Sequence, residues 1–377
     1  MKLLYASNSR FPTEKAHGAQ IAKMAEALIE TGIDVTLVLP KRNNPLKEAI
    51  RPYYDLRVNI PTHFLWTLDF HTLANEKTSR FLDGLIFMFQ SVSFYLSLLI
   101  FTLYHKDIPI FTRDFYSPIF CLDKSRVIWE VHELPRSWFG KKFFSIIAEL
   151  CQAVICTNKS VERFIVTKTL PNKVVYLPNA IDQLVYKTKI STSEARKKFG
   201  LPQKIIIILY VGSLEKRKGV NTLIDCAKYL SSNYLVVLVG GPDEEFNKLQ
   251  YKVKLLKDRK IKLHPHVPYR FLPQLLSSAD ILVLPNSGTD VISREQTSPL
   301  KLFNYLASGK PIVASAVPSI QQATKSRQIT YFYPDDPQDL ARKIKLTAKA
   351  PSLKNVIFPR EFTTKYRAEK ILELLKK

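Results

Sequence analysis

The chain has 377 residues, 46% hydrophobic and 24% charged, which is typical of a folded globular protein with two domains. Its formal net charge is +23, and after residue 185 the 34 basic residues outnumber the 16 acidic ones. This charge favours anionic partners such as nucleotides, phosphorylated sugars, acidic lipids or nucleic acid, with generic solubility as the alternative. Four cysteines without C-x-x-C spacing argue against metal and disulfide frameworks.

In chain order, short β-type runs alternate with helical patterns through the first half. The strand-like runs are "KLLYAS", "DVTLVLP", "IPIFTRD", "RVIWEVHE", "AVICTN" and "KVVYLPN". Between the first two, "GAQIAKMAEALIETG" carries apolar residues at helical spacing and ends at Gly32. Strands separated by helices predict a parallel sheet built from right-handed crossovers. The first apolar run is too short for a signal peptide, and the cysteine pattern fits a reducing cytoplasm, so we expect a cytoplasmic protein.

The segment from Gly84 to Tyr104 has no charged residue over 21 positions, which is about the length needed to span a bilayer. Gln90 and three serines weaken that interpretation. A spanning helix would also put strands of one sheet on opposite sides of a membrane. We therefore expect a buried helix, or one that docks on a membrane surface.

The pattern starts again in the second half, with the strand-like runs "KIIIILYVG", "YLVVLVGG", "ILVLPN" and "PIVAS". We predict an α/β protein of two tandem Rossmann-like, doubly wound parallel-sheet domains facing a cleft, at 1–183 and 184–355. The amphipathic segment at 356–377 is expected to form a C-terminal helix that packs back on the first domain. In such sheets ligands bind beyond the carboxyl ends of the strands, so the loops there carry the functional information.

The segment "TSPLKLFNYLASGKPIVAS" predicts a capped helix followed by a buried strand. Thr297 or Ser298 can cap the helix, Pro299 suits its first turn, and Gly309 ends it.

Helical spacing places an apolar stripe that begins at Leu300 toward the sheet. The same spacing places Lys301, Asn304 and Tyr305 on the solvent side. A helix N-terminus presents free N–H groups and about half a positive charge, so it suits a phosphate. Lys301 opposes the helix dipole unless an anion binds there; an ordinary helix with an exposed lysine is the alternative.

A second candidate loop, "YVGSLEKRKGV", follows the first strand of the second half. Gly212 and Gly219 bracket Lys216, Arg217 and Lys218. Three cations at the carboxyl end of a strand can clamp a diphosphate, although a solvated basic turn has the same composition.

In the first half, Gly18 opens a helix after the first strand, where the backbone can approach a sugar or phosphate closely. His132 and Glu133 end the strand "WEVHEL", and a histidine there serves either structure or function. Neither a Ser-His-Asp arrangement nor an H-E-x-x-H motif is present, so we expect no hydrolase or zinc site.

In the segments described above, the chain resembles the retaining nucleotide-sugar glycosyltransferases of family 4, which have the two-domain GT-B architecture. "HGAQIAKMAEAL" is similar to the glycine loop and first helix of that family, and "LPNAID" to its interdomain signature. "VGSLEKRKG" and "SPLKLFNYLASGKPIVAS" resemble its two donor-site segments. The resemblance covers nearly the whole chain.

The resemblance implies a role for each matching residue. Lys218, Lys301 and the backbone from Thr297 to Leu300 would contact the donor diphosphate, and His132 would approach the transferred sugar. The remaining donor-site residues are Gly18 and Gly212 beside the diphosphate, Val267 near the base, and Arg217, Ser298, Glu295 and Asn304.

Three positions depart from the family pattern. The family normally has a glutamate where this chain has Asn304, a partner acid where it has Gln296, and an arginine where it has Ser213. Glu295 and Arg217 are the neighbouring residues that can compensate. An amide forms weaker hydrogen bonds to a ribose hydroxyl than a carboxylate does, so altered donor choice or lost catalysis is a consistent alternative.

The function that the resemblance implies is transfer of a sugar from a nucleotide-diphosphate donor to a glycan or lipid-linked acceptor, with retention and without a metal or other cofactor. A catalytically impaired binding or scaffold protein and a nucleotide-sugar epimerase are the alternatives. We expect peripheral contact with the inner face of an anionic membrane. Nucleic acid is not expected as a partner, because aromatic residues are not interleaved with the basic ones.

Overall fold

The computed structural model describes residues 1–70, 80–168, 171–187, 190–241, 243–256, 258–296, 300–351 and 356–376. The chain divides into two compact units. Unit 1 comprises Met1–Pro178 and Thr364–Lys377, and unit 2 comprises Asn179–Thr363. Each unit is an α/β domain around one parallel sheet, as predicted for the fold class.

Unit 1 contains a seven-stranded sheet among its described residues, in the order β3-β2-β1-β4-β5-β6-β7. Its strands are β1 Lys2–Ala6, β2 Asp34–Pro40, β3 Thr62–Leu65, β4 Ile110–Thr112, β5 Val127–Val131, β6 Ala153–Cys156 and β7 Val174–Tyr176. Its helices are α1 Ala16–Glu30, α2 Ile50–Tyr54, α3 Arg80–Tyr104, α4 Trp138–Leu150, α5 Lys159–Val166 and, from the C-terminal segment, α13 Thr364–Leu375. The central strands are buried because helices cover both faces of a parallel sheet, whereas the edge strands β3 and β7 are partly exposed.

The helices of unit 1 divide between the two sides of its sheet. α3, α4 and α5 share one hydrophobic cluster with the sheet, through residues such as Phe94, Phe144 and Ile165. α1 and α13 pack against each other. The C-terminal segment of the chain is therefore part of unit 1.

Unit 2 contains a six-stranded sheet among its described residues, in the order β10-β9-β8-β11-β12-β13. The strands are β8 Ile206–Val211, β9 Tyr234–Val239, β10 Ile261–His264, β11 Ile281–Leu284, β12 Ile312–Ser315 and β13 Ile329–Phe332. The helices are α6 Thr192–Lys198, α7 Val220–Cys226, α8 Asp243–Leu256, α9 Leu272–Ser277, α10 Leu300–Ser308, α11 Pro318–Gln321 and α12 Pro337–Lys349.

Both sheets change direction at one point, where a later strand returns to the first strand on its other side. In unit 1 this point lies between β1 and β4, and in unit 2 between β8 and β11. The loops at the carboxyl ends of such neighbouring strands diverge and leave a crevice, which is where open α/β sheets bind ligands. The topology therefore directs attention to the loops after β8 and β11, and after β1 and β4.

Among the described residues, one helix is long and apolar enough to cross a membrane by length and composition, namely Phe81–Tyr104. A third of its most apolar window, 33%, is buried inside the protein. The buried side includes Phe94 and Leu98, which join the cluster under the sheet. The helix is therefore packed on unit 1 along one side only.

Candidate functional site

The loop after β8 carries the three consecutive cations at the direction change of unit 2. Lys216–Lys218 form one turn of 3-10 helix, and Gly219 separates that turn from α7. Gly219 has φ +73°, and a Cβ there would lie 1.7 Å from the Pro285 carbonyl oxygen in the loop after β11. Only glycine allows this approach, because a left-handed residue with a side chain would meet that carbonyl.

The loop after β11 also holds the backbone of the cationic turn. The Ser287 N–H donates to the Arg217 carbonyl at 3.2 Å, and the Ser293 hydroxyl donates to the same oxygen at 3.0 Å. Ser293 lies in a turn of π-helix, Ile292–Gln296, and such turns occur frequently at functional sites. The two loops therefore form one supported structure around Lys218.

Lys301 reaches this loop from the first turn of α10. Its Nζ donates to the Tyr210 hydroxyl at 2.6 Å and lies 4.1 Å from the centroid of that ring. A Cβ on Gly212, which has φ +137°, would lie 2.3 Å from the same Nζ, so glycine makes room for the ammonium group. Lys301 thus projects to the carboxyl end of β8, where the family resemblance predicts the donor diphosphate.

The surroundings of Lys301 disfavour its charge. Its pKa lies well below the ordinary lysine value, first because the ammonium group is enclosed and second because Lys218 is near, while Glu215 opposes the shift. Among the described residues no carboxylate forms an ion pair with Lys301. An enclosed ammonium beside a second cation is a site that an anion would complete.

Arg217 is engaged by its own loop. Its Nε donates to the Glu215 carboxylate, which also accepts a hydrogen bond from the Ser213 hydroxyl at 2.6 Å. The guanidinium charge is therefore partly neutralised at the position expected to compensate for the missing arginine. Its role in donor binding stays a prediction.

The prediction that three residues of α10 face solvent is wrong for two of them. Asn304 is 3% exposed and Tyr305 is 1% exposed. The Asn304 amide accepts from the Tyr186 hydroxyl at 2.6 Å and donates to the Leu300 carbonyl at 3.0 Å. The Tyr305 hydroxyl accepts from the Val211 N–H at 3.0 Å. Polar atoms with such partners are stable inside a protein, so polarity alone does not mark a solvent face.

The other predicted site residues of unit 2 pack on the core, form an ion pair or lie outside the described residues. Leu300 begins α10 and is half-buried against the core, and Val267 packs on the same core after β10. Glu295 forms an ion pair with Arg294 at 2.8 Å and is half-exposed. Thr297 and Ser298 lie outside the described residues. The donor-binding roles of all these residues stay predictions.

His132 lies directly after β5 in unit 1, and its ring is held by a carboxylate. Its Nε2 lies 2.7 Å from Glu130 Oε1 and 3.0 Å from Arg113 Nη2. A carboxylate only accepts, and the contact with Glu130 is the shorter of the two, so we assign the proton to Nε2, donated to Glu130. In this tautomer Nε2 does not accept from Arg113. Burial first, and Arg113 second, lower the pKa of His132, so its ring is neutral at neutral pH with Nδ1 as the acceptor.

Glu130 is itself held from the C-terminal helix. Arg367 of α13 donates to Glu130 Oε2 at 2.5 Å, and both side chains are almost fully buried. Arg367 also donates to the carbonyls of Leu177 and Pro178. Burial acts to raise the pKa of Glu130, but Arg367, His132 and Arg113 outweigh it and hold the pKa well below the usual range. A charged Glu130 is therefore available to orient His132.

Gly18 lies in the first turn of α1 and has a packing reason to be glycine. A Cβ there would lie 2.3 Å from the Tyr54 hydroxyl, which bonds to the backbone of Thr13. Beside it, the pKa of His17 is lowered to about 4, first by burial and then by Arg113 and Lys15. His17 is therefore neutral at neutral pH, and the role of Gly18 beside a sugar or phosphate stays a prediction.

Sequence reasoning missed the residues that position the predicted ones. Glu130 had a signal, because residues i and i+2 of a strand lie on the same side, which pairs it with His132. Tyr210 and Arg367 had none, since their partners are distant in the chain. Within the described ranges, no group of three His, Cys, Asp or Glu side chains forms a candidate metal site.

Two family models match this chain in series. The model described as "Glycosyltransferase Family 4" matches residues 18–183, and "Glycosyl transferases group 1" matches residues 191–359. A curated relative, D-inositol 3-phosphate glycosyltransferase 1 of Catenulispora acidiphila, is 28% identical over 145 residues, covering 35% of this chain and 33% of that protein. The chain spans about a third of the length of the curated relatives it matches.

Solved structures with the same fold cover the whole chain. Anabaena Alr3699/HepE in complex with UDP and glucose superposes with a TM-score of 0.74 at 16% identity, over 100% of both chains. WaaG, a glycosyltransferase involved in lipopolysaccharide biosynthesis, superposes with a TM-score of 0.63 at 13% identity, over 99% of this chain and 97% of that one. With both halves matched and the GT-B fold shared, this chain belongs to the family 4 glycosyltransferases.

Proposed function

We propose that this protein transfers a sugar from a nucleotide-diphosphate donor, and that unit 2 binds the donor at the carboxyl ends of β8 and β11. The proposal depends chiefly on one observation. Lys301 places an enclosed ammonium, paired with a hydroxyl rather than a carboxylate, close enough to Lys218 for that second cation to lower its pKa. A diphosphate between them would relieve that repulsion.

The chemistry that this site supports is electrostatic. As the bond from the sugar to the diphosphate breaks, negative charge accumulates on the leaving oxygen. Lys218 and Lys301 would stabilise that charge in place of a metal ion, and no other cofactor is proposed. A preorganised donor of this kind contributes about 3–4 kcal/mol in the transition state.

We further propose that the transfer retains configuration and that His132 contacts the transferred sugar. Its Nδ1 is an acceptor in the tautomer that Glu130 imposes, so it suits a sugar hydroxyl. A glycan or a lipid-linked saccharide is the proposed acceptor, by analogy with the lipopolysaccharide role stated for WaaG. The proposed location is the cytoplasm, with peripheral contact to the inner face of an anionic membrane.

Alanine substitutions in the two lysines test the donor site. We expect Lys218→Ala and Lys301→Ala each to lower kcat for donor turnover by about 10²–10³-fold, because each removes one charge from the leaving diphosphate. The measurement is nucleotide release from a panel of nucleotide-sugars. Lys216→Ala is the matched control, since Lys216 is an exposed cation of the same turn; it should retain nearly full activity.

Unchanged turnover in both lysine variants would contradict the site assignment. A binding or scaffold protein is the second candidate, favoured by the burial of Asn304 where the family has a glutamate. Calorimetry with the same nucleotide-sugars separates the two. Donor binding without hydrolysis, transfer to acceptors or epimerisation would favour the binding protein.

A further inference from the structure

The outer side of α3 exposes a continuous apolar stripe. From Phe89 onward its members recur every three or four residues, and Phe81 precedes them by eight, so all lie along one side of the helix: Phe81, Phe89, Val92, Leu96, Ile100 and Leu103. Each is exposed in the described part of the chain, from 37% for Leu103 to 76% for Phe81. No charged side chain interrupts the stripe between Gly84 and Tyr104. Core-facing helices bury such a stripe, whereas α3 buries the opposite side.

The outer side of α4 has the same character. Phe139, Phe143, Ile146 and Leu150 follow one another at helical spacing, and each is between 46% and 78% exposed. Trp138 at the helix start is 65% exposed. The buried side of α4 carries Phe144, Ile147 and Ala148, so α4 is apolar on both sides. The packing of unit 1 therefore explains why the inner side of α4 is apolar, but not why the outer side is.

The two outer surfaces belong to the same side of the molecule. α3 and α4 pack through one hydrophobic cluster on one face of the sheet of unit 1. A chain of ring contacts joins them, from Tyr95 of α3 through Tyr116 and Phe115 to Phe144 of α4. Tyr116 is itself 53% exposed. The exposed apolar sides of α3 and α4 therefore lie on the same face of the sheet of unit 1.

Two lysines of α4 lie close to aromatic rings. Lys142 Nζ lies 5.5 Å from the Trp138 ring centroid, and Lys141 Nζ lies 5.9 Å from the ring centroid of Phe164 in α5. The acidic residues Asp83 and Glu149 lie near opposite ends of the area, at the start of α3 and the end of α4. Lysine is depleted at the centre of protein interfaces, but lysine beside tryptophan and phenylalanine is typical of a surface that meets a bilayer.

We propose that the outer sides of α3 and α4 are a docking surface for an anionic lipid bilayer. The apolar side chains would enter the boundary between headgroups and acyl chains, and Lys141 and Lys142 would meet the anionic headgroups. The inference deepens the proposed function by assigning the membrane contact to a surface and a lipid chemistry. It uses no residue of the donor site.

Vesicle flotation with the full chain tests this surface. We expect wild-type protein to float with vesicles of phosphatidylcholine and phosphatidylglycerol, less with phosphatidylcholine alone, and less as salt concentration rises. The double variant F139S/K142E should bind the anionic vesicles about tenfold more weakly or worse, because it removes an inserted ring and reverses a charge. The α3 variant F89S/L96S should show the same loss independently.

The matched control is K345E/L346S on α12 of unit 2, which makes the same kinds of change at two exposed positions. It should float like wild type. Circular dichroism establishes that each variant is folded, and sedimentation without lipid reports the oligomeric state.

Wild-type protein that remains at the bottom of both gradients would overturn the proposal. So would variants that float as well as the control, or a stable dimer that F139S/K142E converts to monomer. Lys301→Ala protein should float normally, so docking and donor turnover can fail separately. Turnover without flotation contradicts only the docking surface, and flotation without donor binding contradicts only the proposed transferase.

Discussion

At the residue scale, Lys301 combines two properties that seldom occur together in a surface lysine. It is enclosed at the carboxyl end of β8, and the nearby cation Lys218 affects its pKa more than the nearby carboxylate Glu215 does. Its pKa is therefore lowered in the free protein, first by enclosure and then by Lys218. An anion bound beside it would stabilise the ammonium form and raise the pKa again.

Because the pKa of Lys301 is lowered in the free protein and raised by a bound anion, we expect the protein to take up protons when a nucleoside diphosphate binds. Since the pKa of Lys301 is higher in the complex than in the free protein, affinity should be constant below the free pKa and fall as pH rises above it. Titration calorimetry with UDP in buffers of different ionisation enthalpy measures the protons taken up. Lys301→Arg, which keeps its charge at every pH used, should bind UDP with less uptake; equal uptake in both proteins would contradict the assignment.

His132 shows how a single side chain depends on groups that are far away in the chain. Its tautomer follows from Glu130, and the charge of Glu130 follows from Arg367, which lies 237 positions later. Breaking a buried pair of this kind leaves an uncompensated charge, which costs far more than the net contribution of the pair. The C-terminal helix is therefore part of the proposed sugar site of unit 1.

At the element scale, the cationic turn depends on how closely the loops after β8 and β11 approach. Gly219 makes this approach possible, and Gly309 at the end of α10 offers a matched comparison. Both glycines have φ +73°, but a Cβ on Gly309 would meet nothing within 4 Å, whereas one on Gly219 would lie 1.7 Å from Pro285 O.

We expect Gly309→Ala to lower the free energy of unfolding by about 1 kcal/mol, the cost of the left-handed backbone alone. Gly219→Ala should lower it by about 2–4 kcal/mol, because overpacking adds to that cost. It should also weaken UDP binding, since the turn that carries Lys218 must move. Urea unfolding and calorimetry measure both effects. Equal losses of stability would mean that the loop after β11 moves aside without cost.

The helices α3 and α10 illustrate opposite relations between polarity and burial. α10 buries an amide and a phenol because each finds a hydrogen-bond partner, and α3 exposes rings and aliphatic chains although nothing in their chemistry favours water. Burial of hydrogen-bonded polar groups, as in α10, is ordinary packing. A large exposed apolar surface, as on α3, indicates a binding partner.

At the scale of the whole molecule, the unfolding of the two units can be distinguished by spectroscopy. All three tryptophans, at positions 66, 129 and 138, lie in unit 1, whereas Lys218 and Lys301 lie in unit 2. Each unit also has its own hydrophobic clusters. Tryptophan emission therefore reports the unfolding of unit 1, and far-UV circular dichroism reports both.

UDP should stabilise unit 2 by about 2.7 kcal/mol at a hundredfold excess over its Kd, because a ligand stabilises the state that binds it. We expect UDP to raise the midpoint of a thermal transition seen by circular dichroism, with a smaller shift in the tryptophan transition. Equal shifts in both signals would show that the units unfold as one. The absence of any shift would contradict donor binding by unit 2.

Much of the fold could be predicted from local patterns. Alternating short apolar strands and amphipathic helices predicted two parallel-sheet domains, because a parallel sheet needs a crossover between strands. Gly309, for example, ends α10 as predicted because a left-handed residue stops a helix. The loops with the cations were also found, since the carboxyl ends of strands are recognisable in the chain.

Other features depended on contacts between distant segments. The sequence of α10 predicts where the helix starts and ends. Whether Asn304 and Tyr305 face water depends on their hydrogen-bond partners, which are Tyr186 and the backbone of Val211. Likewise, only the folded chain brings Arg367 to Glu130 and Lys301 to Tyr210. The physical reason is range: backbone preference and periodicity act within a few residues, whereas burial and pKa depend on every group that packing brings near.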